Sequence, residues 1–169
     1  MSRDLSATLT EELLSQEMSE VIVTLLELDH PDFDEVIYLC DNPTETLMDG
    51  EYGTTSNSIE YTFLPFQLIE PPQDEDILGR GVLKLDNITR DLIAAVLEVQ
   101  GDPITVNIKF VLASAPDSIE YQYPAMRMEN IRANAFELEA DLFPNVLQGE
   151  QFPYDSFNNA NFPGLYSGF

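Results

Sequence analysis

Residues 104–113 have the sequence Ile-Thr-Val-Asn-Ile-Lys-Phe-Val-Leu-Ala, and this stretch decides the fold class. Apolar side chains stand at every second position, which is the period of a β-strand that buries one face. The row predicted to be buried consists of Ile104, Val106, Ile108, Phe110 and Leu112. We therefore predict a strand that lies against a hydrophobic core.

The alternation continues on the C-terminal side of this strand. We predict a turn at residues 115–118 (Ala-Pro-Asp-Ser), then alternating strands over residues 119–132 and 135–142. In the last strand the inward row is predicted to be Phe136, Leu138, Ala140 and Leu142, and the outward row Glu137, Glu139 and Asp141. Strands joined by turns rather than by helices favour an antiparallel sheet.

The N-terminal half also contains β-rich segments. Strands are predicted at residues 21–28 and 35–40, which form a hairpin, at residues 59–69 and at residues 81–86. Pro65 lies inside the third of these, which predicts an edge strand or a bulge because proline lacks a backbone N–H. Residues 41–58 are polar and rich in turn residues, so we predict a connecting loop there.

Two short helices complete the predicted elements. The first is predicted over residues 5–19, which contain a capping-box pattern at residues 8–11. The second, over residues 88–100, carries an apolar stripe of Ile88, Leu92, Val96 and Val99 before Gly101 and Pro103. The predicted fold is mainly β (α+β): an antiparallel β-sandwich or barrel with one or two short helices packed on it. A chain of 169 residues is the size of one domain. We assign residues 1–142 to this domain.

The remaining residues, 143–169, have a different composition. They hold seven of the 17 aromatic residues, three Phe-Pro pairs and only two charges. Each proline biases the residue before it to extended geometry and prevents a regular helix. We predict an extended C-terminal arm that packs either on its own domain or, as the subunit-interaction arm, on a neighbouring subunit. The anchoring residues would be Phe152, Tyr154, Phe157, Phe162, Leu165 and Tyr166.

The charge is strongly negative and uneven. The formal net charge is −24, and residues 1–80 carry 19 acids against two bases, a net charge of −17. This balance argues against a protein that binds nucleic-acid phosphates or an anionic membrane surface. It fits either solubility alone or a surface past which DNA moves without specific binding. We predict that the acidic loop of Asp74, Glu75 and Asp76 faces such a lumen or a basic partner.

No constellation of residues indicates catalysis. His30 lies beside Asp29 and Asp32 and could serve as a base with an orienting carboxylate, but a surface turn is the favoured interpretation. Cys40 follows four apolar or aromatic residues, so we predict a buried thiol. One histidine and one cysteine cannot supply a structural zinc site. We therefore predict no enzyme activity and no catalytic, cofactor or metal site.

Several stretches in order resemble a family of small tail proteins of long-tailed (siphovirus-type) bacteriophages, first catalogued as a domain of unknown function. The stretches that carry the resemblance are residues 1–6, 16–17, 25–31, 61–66, 82–87 with the helix after them, 111–117 and 161–166. The resemblance implies a virion component of the tail tip, made in the host bacterial cytoplasm. Proteins at this position commonly form rings between the tail tube and the central hub. Its implied partners are therefore further copies of itself and other tail proteins.

Three other functions stay open at this stage. The chain could be a tail-assembly chaperone that is absent from the mature virion. It could be a receptor-binding tip domain, in which case loop 41–58 would affect host range. An enzyme that uses His30 is the remaining possibility, and it ranks last because the His–Asp pair is its whole support.

Overall fold

The computed structural model describes residue 10 and residues 20–71, 79–86, 90–99, 101–134 and 137–144. These contain one helix, α1 (Arg90–Glu98), and ten strands. The strands are β1 (Ile22–Asp29), β2 (Ile37–Cys40), β3 (Glu45–Thr46), β4 (Tyr52–Ser56), β5 (Ile59–Phe63), β6 (Phe66–Ile69), β7 (Gly81–Asp86), β8 (Ile104–Leu112), β9 (Ala115–Ala133) and β10 (Glu137–Pro144). The predicted helix over residues 5–19 lies outside the described residues, apart from Thr10.

All ten strands belong to one sheet with the order β3-β4-β5-β2-β1-β8-β9-β10-β7-β6. The prediction of a mainly β fold is confirmed. The finer prediction of an antiparallel sandwich or barrel is not confirmed, because the sheet is mixed and does not close. One pair is parallel: β2 runs beside β5 with Leu39 opposite Thr62.

The predicted hairpin of β1 and β2 is confirmed, with Leu26 opposite Leu39. The predicted single strand over residues 59–69 is wrong, because Pro65 divides it into β5 and β6. The Leu64 N–H donates to the Cys40 carbonyl, 3.0 Å away, and the Asp86 N–H donates to the Pro65 carbonyl, 3.1 Å away. The link of Leu64 and Pro65 thus bonds to both β2 and β7, which are far apart in the strand order, so the sheet must be strongly curved. Strand β6 lies at one edge of the sheet, as the proline predicts.

The predicted loop over residues 41–58 is wrong, since it contains the β3–β4 hairpin. Two of its polar residues, Thr54 and Ser56, are buried, and the hydroxyl group of each has a hydrogen-bond partner. Thr54 donates to the Asn42 carbonyl at 3.1 Å, and Ser56 donates to the Pro116 carbonyl at 2.7 Å. Buried hydroxyl groups that are satisfied in this way are compatible with a strand interior.

The turn predicted at residues 115–118 is displaced. The chain turns at residues 113–114, and β9 already begins at Ala115. The register between β8 and β9 shifts sharply near this point, from Val111 opposite Ile119 to Leu112 opposite Ala115. Pro116 thus lies in an irregular part of the ladder, where its missing N–H costs little.

The main core lies on one face of the sheet. The predicted inward row of β8 is confirmed, because all five side chains are buried. Val96 of α1 is also buried in this core, whereas the Leu92 side chain lies outside the described part. Leu138, Ala140 and Leu142 of β10 are buried as predicted. Asp141, predicted to point outward, is buried as well, because Arg80 and Asn130 cover the opposite face of β10 and bind its carboxylate.

Candidate functional site

The described structure separates the charges of the chain into two halves of the sheet. Residues 22–63 form five adjacent strands, β3-β4-β5-β2-β1, and contain ten acids but no lysine or arginine. We call these strands, together with the turns that connect them, the acidic half. The neighbouring strands β8-β9-β10-β7, which we call the mixed-charge half, contain Lys84, Lys109, Arg127 and Arg132.

Cations of the mixed-charge half are largely engaged with nearby carboxylates. The Lys84 ammonium lies 3.6 Å from Glu139, and the Arg127 guanidinium lies 2.9 Å from Glu129. Arg80, just before β7, lies 3.4 Å from the buried Asp141 carboxylate. These pairs neutralise individual carboxylates of this half, and the acidic half has no lysine or arginine of its own with which to do the same.

One ion pair joins the two halves. The Lys109 ammonium of β8 contacts the Glu27 carboxylate of β1. The Tyr61 hydroxyl donates to Glu27 Oε1, the oxygen that Lys109 also contacts, at 2.7 Å. The Asn107 amide donates to Glu27 Oε2 at 3.2 Å. We call these four residues the Glu27 cluster; it connects β1, β5 and β8.

The Glu27 cluster holds its carboxylate in the ionised form. Burial by itself would raise the pKa of Glu27, but the hydrogen bonds from Lys109, Tyr61 and Asn107 and the Lys109 charge outweigh it and lower the pKa. Burial and the bond to the ionised carboxylate raise the pKa of Tyr61. Because both carboxylate oxygens already accept hydrogen bonds, the cluster fits a structural role better than that of a general base.

The lone cysteine is inert in this setting. Cys40 is fully buried, which confirms the prediction, and its thiol donates to the Tyr61 carbonyl at 3.4 Å. Burial raises the pKa of Cys40 to about 11, so the thiol remains protonated at neutral pH.

His30 does lie at a turn, since its carbonyl accepts from the Phe33 N–H at 3.0 Å. The prediction of a surface position is wrong, however, because the residue is 5% exposed. Its Nδ1 accepts from the Asp32 N–H at 3.0 Å, and Nε2, which therefore carries the proton, donates to the Asp102 carbonyl at 3.0 Å. Both ring nitrogens are engaged, so the imidazole links the β1–β2 turn to the segment before β8.

A groove of about 720 Å³ opens on one face of the acidic half. Its floor includes Ile37, Leu39 and Leu64, of which the two leucines are buried in the main core. Its rim includes three exposed carboxylates, Glu35, Glu51 and Glu60. We call these six residues the acidic groove.

The strand register explains why the rim carboxylates converge. Leu39 of β2 lies opposite Thr62 of β5, and Thr62 lies opposite Gly53 of β4, so these three positions share one face. Side chains two residues along a strand return to the same face. Glu60 therefore joins Thr62, and Glu51 joins Gly53, on the side that carries Leu39. Among the described side chains, no lysine or arginine forms an ion pair with a rim carboxylate.

The family described as a domain of unknown function, DUF1833, matches residues 8–134. The chain belongs to this family. The DUF1833 region includes α1, β1 to β9, the Glu27 cluster and the acidic groove, while β10 and the predicted arm lie beyond residue 134. No curated protein gives a significant match to the chain.

The predicted interaction residues lie outside the described part of this DUF1833 chain. Asp74, Glu75 and Asp76 belong to a segment that the structure does not describe, and so do the six anchoring residues of the predicted arm. Residues 143 and 144, assigned from the sequence to the arm, form the end of β10. The acidic groove was not predicted.

The described ranges lack two further kinds of site. No group of three or more histidine, cysteine, aspartate or glutamate side chains there could hold a metal ion. Within the same ranges, no helix has the length and apolar character needed to cross a membrane.

Proposed function

We propose that this DUF1833 protein is a structural component of a bacteriophage tail tip, an adaptor between the tail tube and the central hub. The observation that carries the proposal is the acidic half: ten acids and no lysine or arginine on five adjacent strands and the turns that connect them. A surface of this kind lacks the cations that hold phosphates, so DNA can pass it without sticking. The resemblance of the sequence to small tail proteins supports the same assignment.

Assembly into a ring is the second element of the proposal. The predicted arm, residues 143–169, would clasp the next subunit through its aromatic side chains, since seven aromatics with two charges form a large apolar surface. The described part of the arm, Phe143 and Pro144, extends β10 directly. The other partners would be tube and hub proteins of the tail, and the protein would be made in the host bacterial cytoplasm before it enters the virion.

Mass spectrometry of purified phage particles tests the proposal. We expect the protein in the particles at a fixed ratio to the tail-tube protein, with an abundant host cytoplasmic protein as the negative control. Its absence from particles that carry complete tails would contradict the adaptor and favour the alternative, an assembly chaperone that leaves before maturation.

Ring formation requires a separate measurement. Light scattering should give an oligomer for the full chain and a folded monomer after deletion of residues 148–169. Retention of the oligomer after deletion would show that the arm is not the clasp, while leaving the location in the virion unaffected.

A receptor-binding tip domain is the second candidate, and one observation favours it. The β3–β4 hairpin exposes two large apolar side chains, Met48 at 97% and Tyr52 at 66%. Exposed aromatic and methionine side chains are common at binding surfaces. If this hairpin contacts the host, substitution of Met48 and Tyr52 by serine should reduce adsorption to cells while particle assembly stays normal.

A further inference from the structure

We propose that the acidic groove is a docking site for a basic, extended segment of a partner protein, whose lysine or arginine side chains enter it. The inference deepens the proposed function by giving the chemistry of one partner. It depends on the groove alone, however, and can be tested without a virion.

The groove has the size and the lining to accommodate a side chain with an apolar stem and a cationic end. Its volume of about 720 Å³ lies in the range of binding pockets. The apolar floor of Ile37, Leu39 and Leu64 offers a surface for the aliphatic stem of a lysine or arginine. The charged end would then lie at the rim, where Glu35, Glu51 and Glu60 project.

A cation that binds the rim carboxylates must come from outside the strands that build the groove. Residues 4–79 contain no lysine or arginine, so the strands that build the groove supply none. On the neighbouring half, Lys109 is bound to Glu27 and Lys84 to Glu139. A cationic segment from another protein would therefore meet carboxylates that form no ion pair with a described lysine or arginine, and charge-assisted hydrogen bonds to carboxylates are the strong ones.

A blocked nonapeptide that alternates lysine with valine serves as the probe, because alternate side chains of an extended peptide face one way. Its binding to the full-length protein is measured by isothermal titration calorimetry at about 0.15 M salt, where long-range attraction is screened. We expect saturable binding to the wild-type protein. A peptide that alternates lysine with serine tests whether apolar contact contributes, and we expect it to bind more weakly.

Two variants with the same change in net charge separate a site from general attraction. Glu35→Gln, Glu51→Gln and Glu60→Gln together should weaken binding by about tenfold or more, because each removed charge acts at short range. The control combines Glu20→Gln, Asp86→Asn and Glu139→Gln, which lie outside the groove, and should change binding by less than about threefold.

A third variant blocks the groove without a change of charge. Thr62 lines the groove and is only partly buried, so the larger Thr62→Phe side chain would occupy groove space, since the Leu47 side chain already fills the position over Gly53 on the next strand. We expect it to reduce binding by about tenfold as well, since ligand contact with the floor is lost. Circular dichroism and thermal unfolding check that each variant is folded.

Three results would overturn the inference. They are no binding to the wild-type protein, equal weakening by the two triple variants, and normal binding by a folded Thr62→Phe variant. The experiment uses isolated protein, so a groove that binds the peptide in a protein absent from virions would contradict the tail-tip proposal alone.

Discussion

The acidic half and the mixed-charge half belong to one sheet but differ in how their carboxylates are paired with cations. In the mixed-charge half, Lys84 and Arg127 lie beside carboxylates on the same or the next strand. In the acidic half, ten acids stand without a lysine or arginine of their own, and Lys109 of the neighbouring strand reaches across to Glu27. The mixed-charge half shows that this sheet tolerates cations. Folding therefore does not require their absence from the acidic half, and a function is the better explanation.

The largest expected effect comes from breaking the ion pair that joins the halves. Lys109→Ala should lower the free energy of unfolding by about 2–3 kcal/mol, because it leaves the Glu27 carboxylate largely buried without its counter-ion. Urea unfolding followed by circular dichroism measures the change. An effect below about 0.5 kcal/mol would mean that the pair contributes no more than a surface pair.

Two controls make this measurement specific. Lys84→Ala removes the pair with Glu139, in which both side chains are about one-third exposed, and should cost less than about 1 kcal/mol. The double variant Glu27→Gln/Lys109→Ala removes both charges and the lysine stem, and it should be more stable than Lys109→Ala alone. If the double variant is as unstable as the single one, the loss comes from packing rather than from the unpaired charge.

The parts of the fold that follow from local sequence patterns could be predicted, and the parts that depend on contacts between distant residues could not. The buried row of β8 follows from a local period of two residues, and it is confirmed. The β3–β4 hairpin was missed because Thr54 and Ser56 are buried through hydrogen bonds to distant backbone, which no local pattern reveals. The sequence likewise predicts Asp141 on the exposed face of β10, because its partner Arg80 is 61 residues away and lies beyond any local pattern.

The candidate site was less predictable than the fold. The absence of lysine and arginine over residues 4–79 is visible in the sequence, and it indicated an acidic surface. The convergence of Glu51 and Glu60 depends on the register of β4, β5 and β2, including one parallel pair that connects distant segments. Without that register, the three rim carboxylates cannot be told from the other acids.

The next effect concerns the hydrogen bond that ties β5 to the Glu27 cluster. Tyr61→Phe keeps the ring and removes the hydroxyl that donates to Glu27 at 2.7 Å. The free energy of unfolding should fall by about 1–2 kcal/mol, because a hydrogen bond to a charged group is lost in a buried position. Tyr38→Phe is the matched control, since it changes a neighbouring half-buried tyrosine that contacts the Tyr61 ring edge to face. A cost for the control equal to that of Tyr61→Phe would contradict a specific role of the hydroxyl.

A smaller effect should appear in the pH dependence of stability. Because the folded protein holds the pKa of Glu27 below its ordinary value of 4.5, this group contributes stability at higher pH. The contribution is lost as pH falls from 4.5 through the lowered pKa. Urea unfolding at a series of pH values should show a steeper loss for the wild type than for Glu27→Gln in this window. Parallel curves for the two proteins would show that Glu27 titrates alike in the folded and unfolded states.

The smallest expected effect is a change in unfolding free energy whose sign should differ between the two halves. Glu60→Lys introduces a cation on the groove face with Glu35 and Glu51, so it should raise the free energy of unfolding by up to about 0.5 kcal/mol. Glu139→Lys is the same substitution on a strand of the other half, but it faces Lys84, now a like charge, and should lower stability by a similar amount. Both differences should shrink at about 1 M salt, where the screening length is near 3 Å. Thermal unfolding at low and high salt measures the four values. If the two substitutions change stability in the same direction at low salt, the separation of charge between the halves has no energetic consequence.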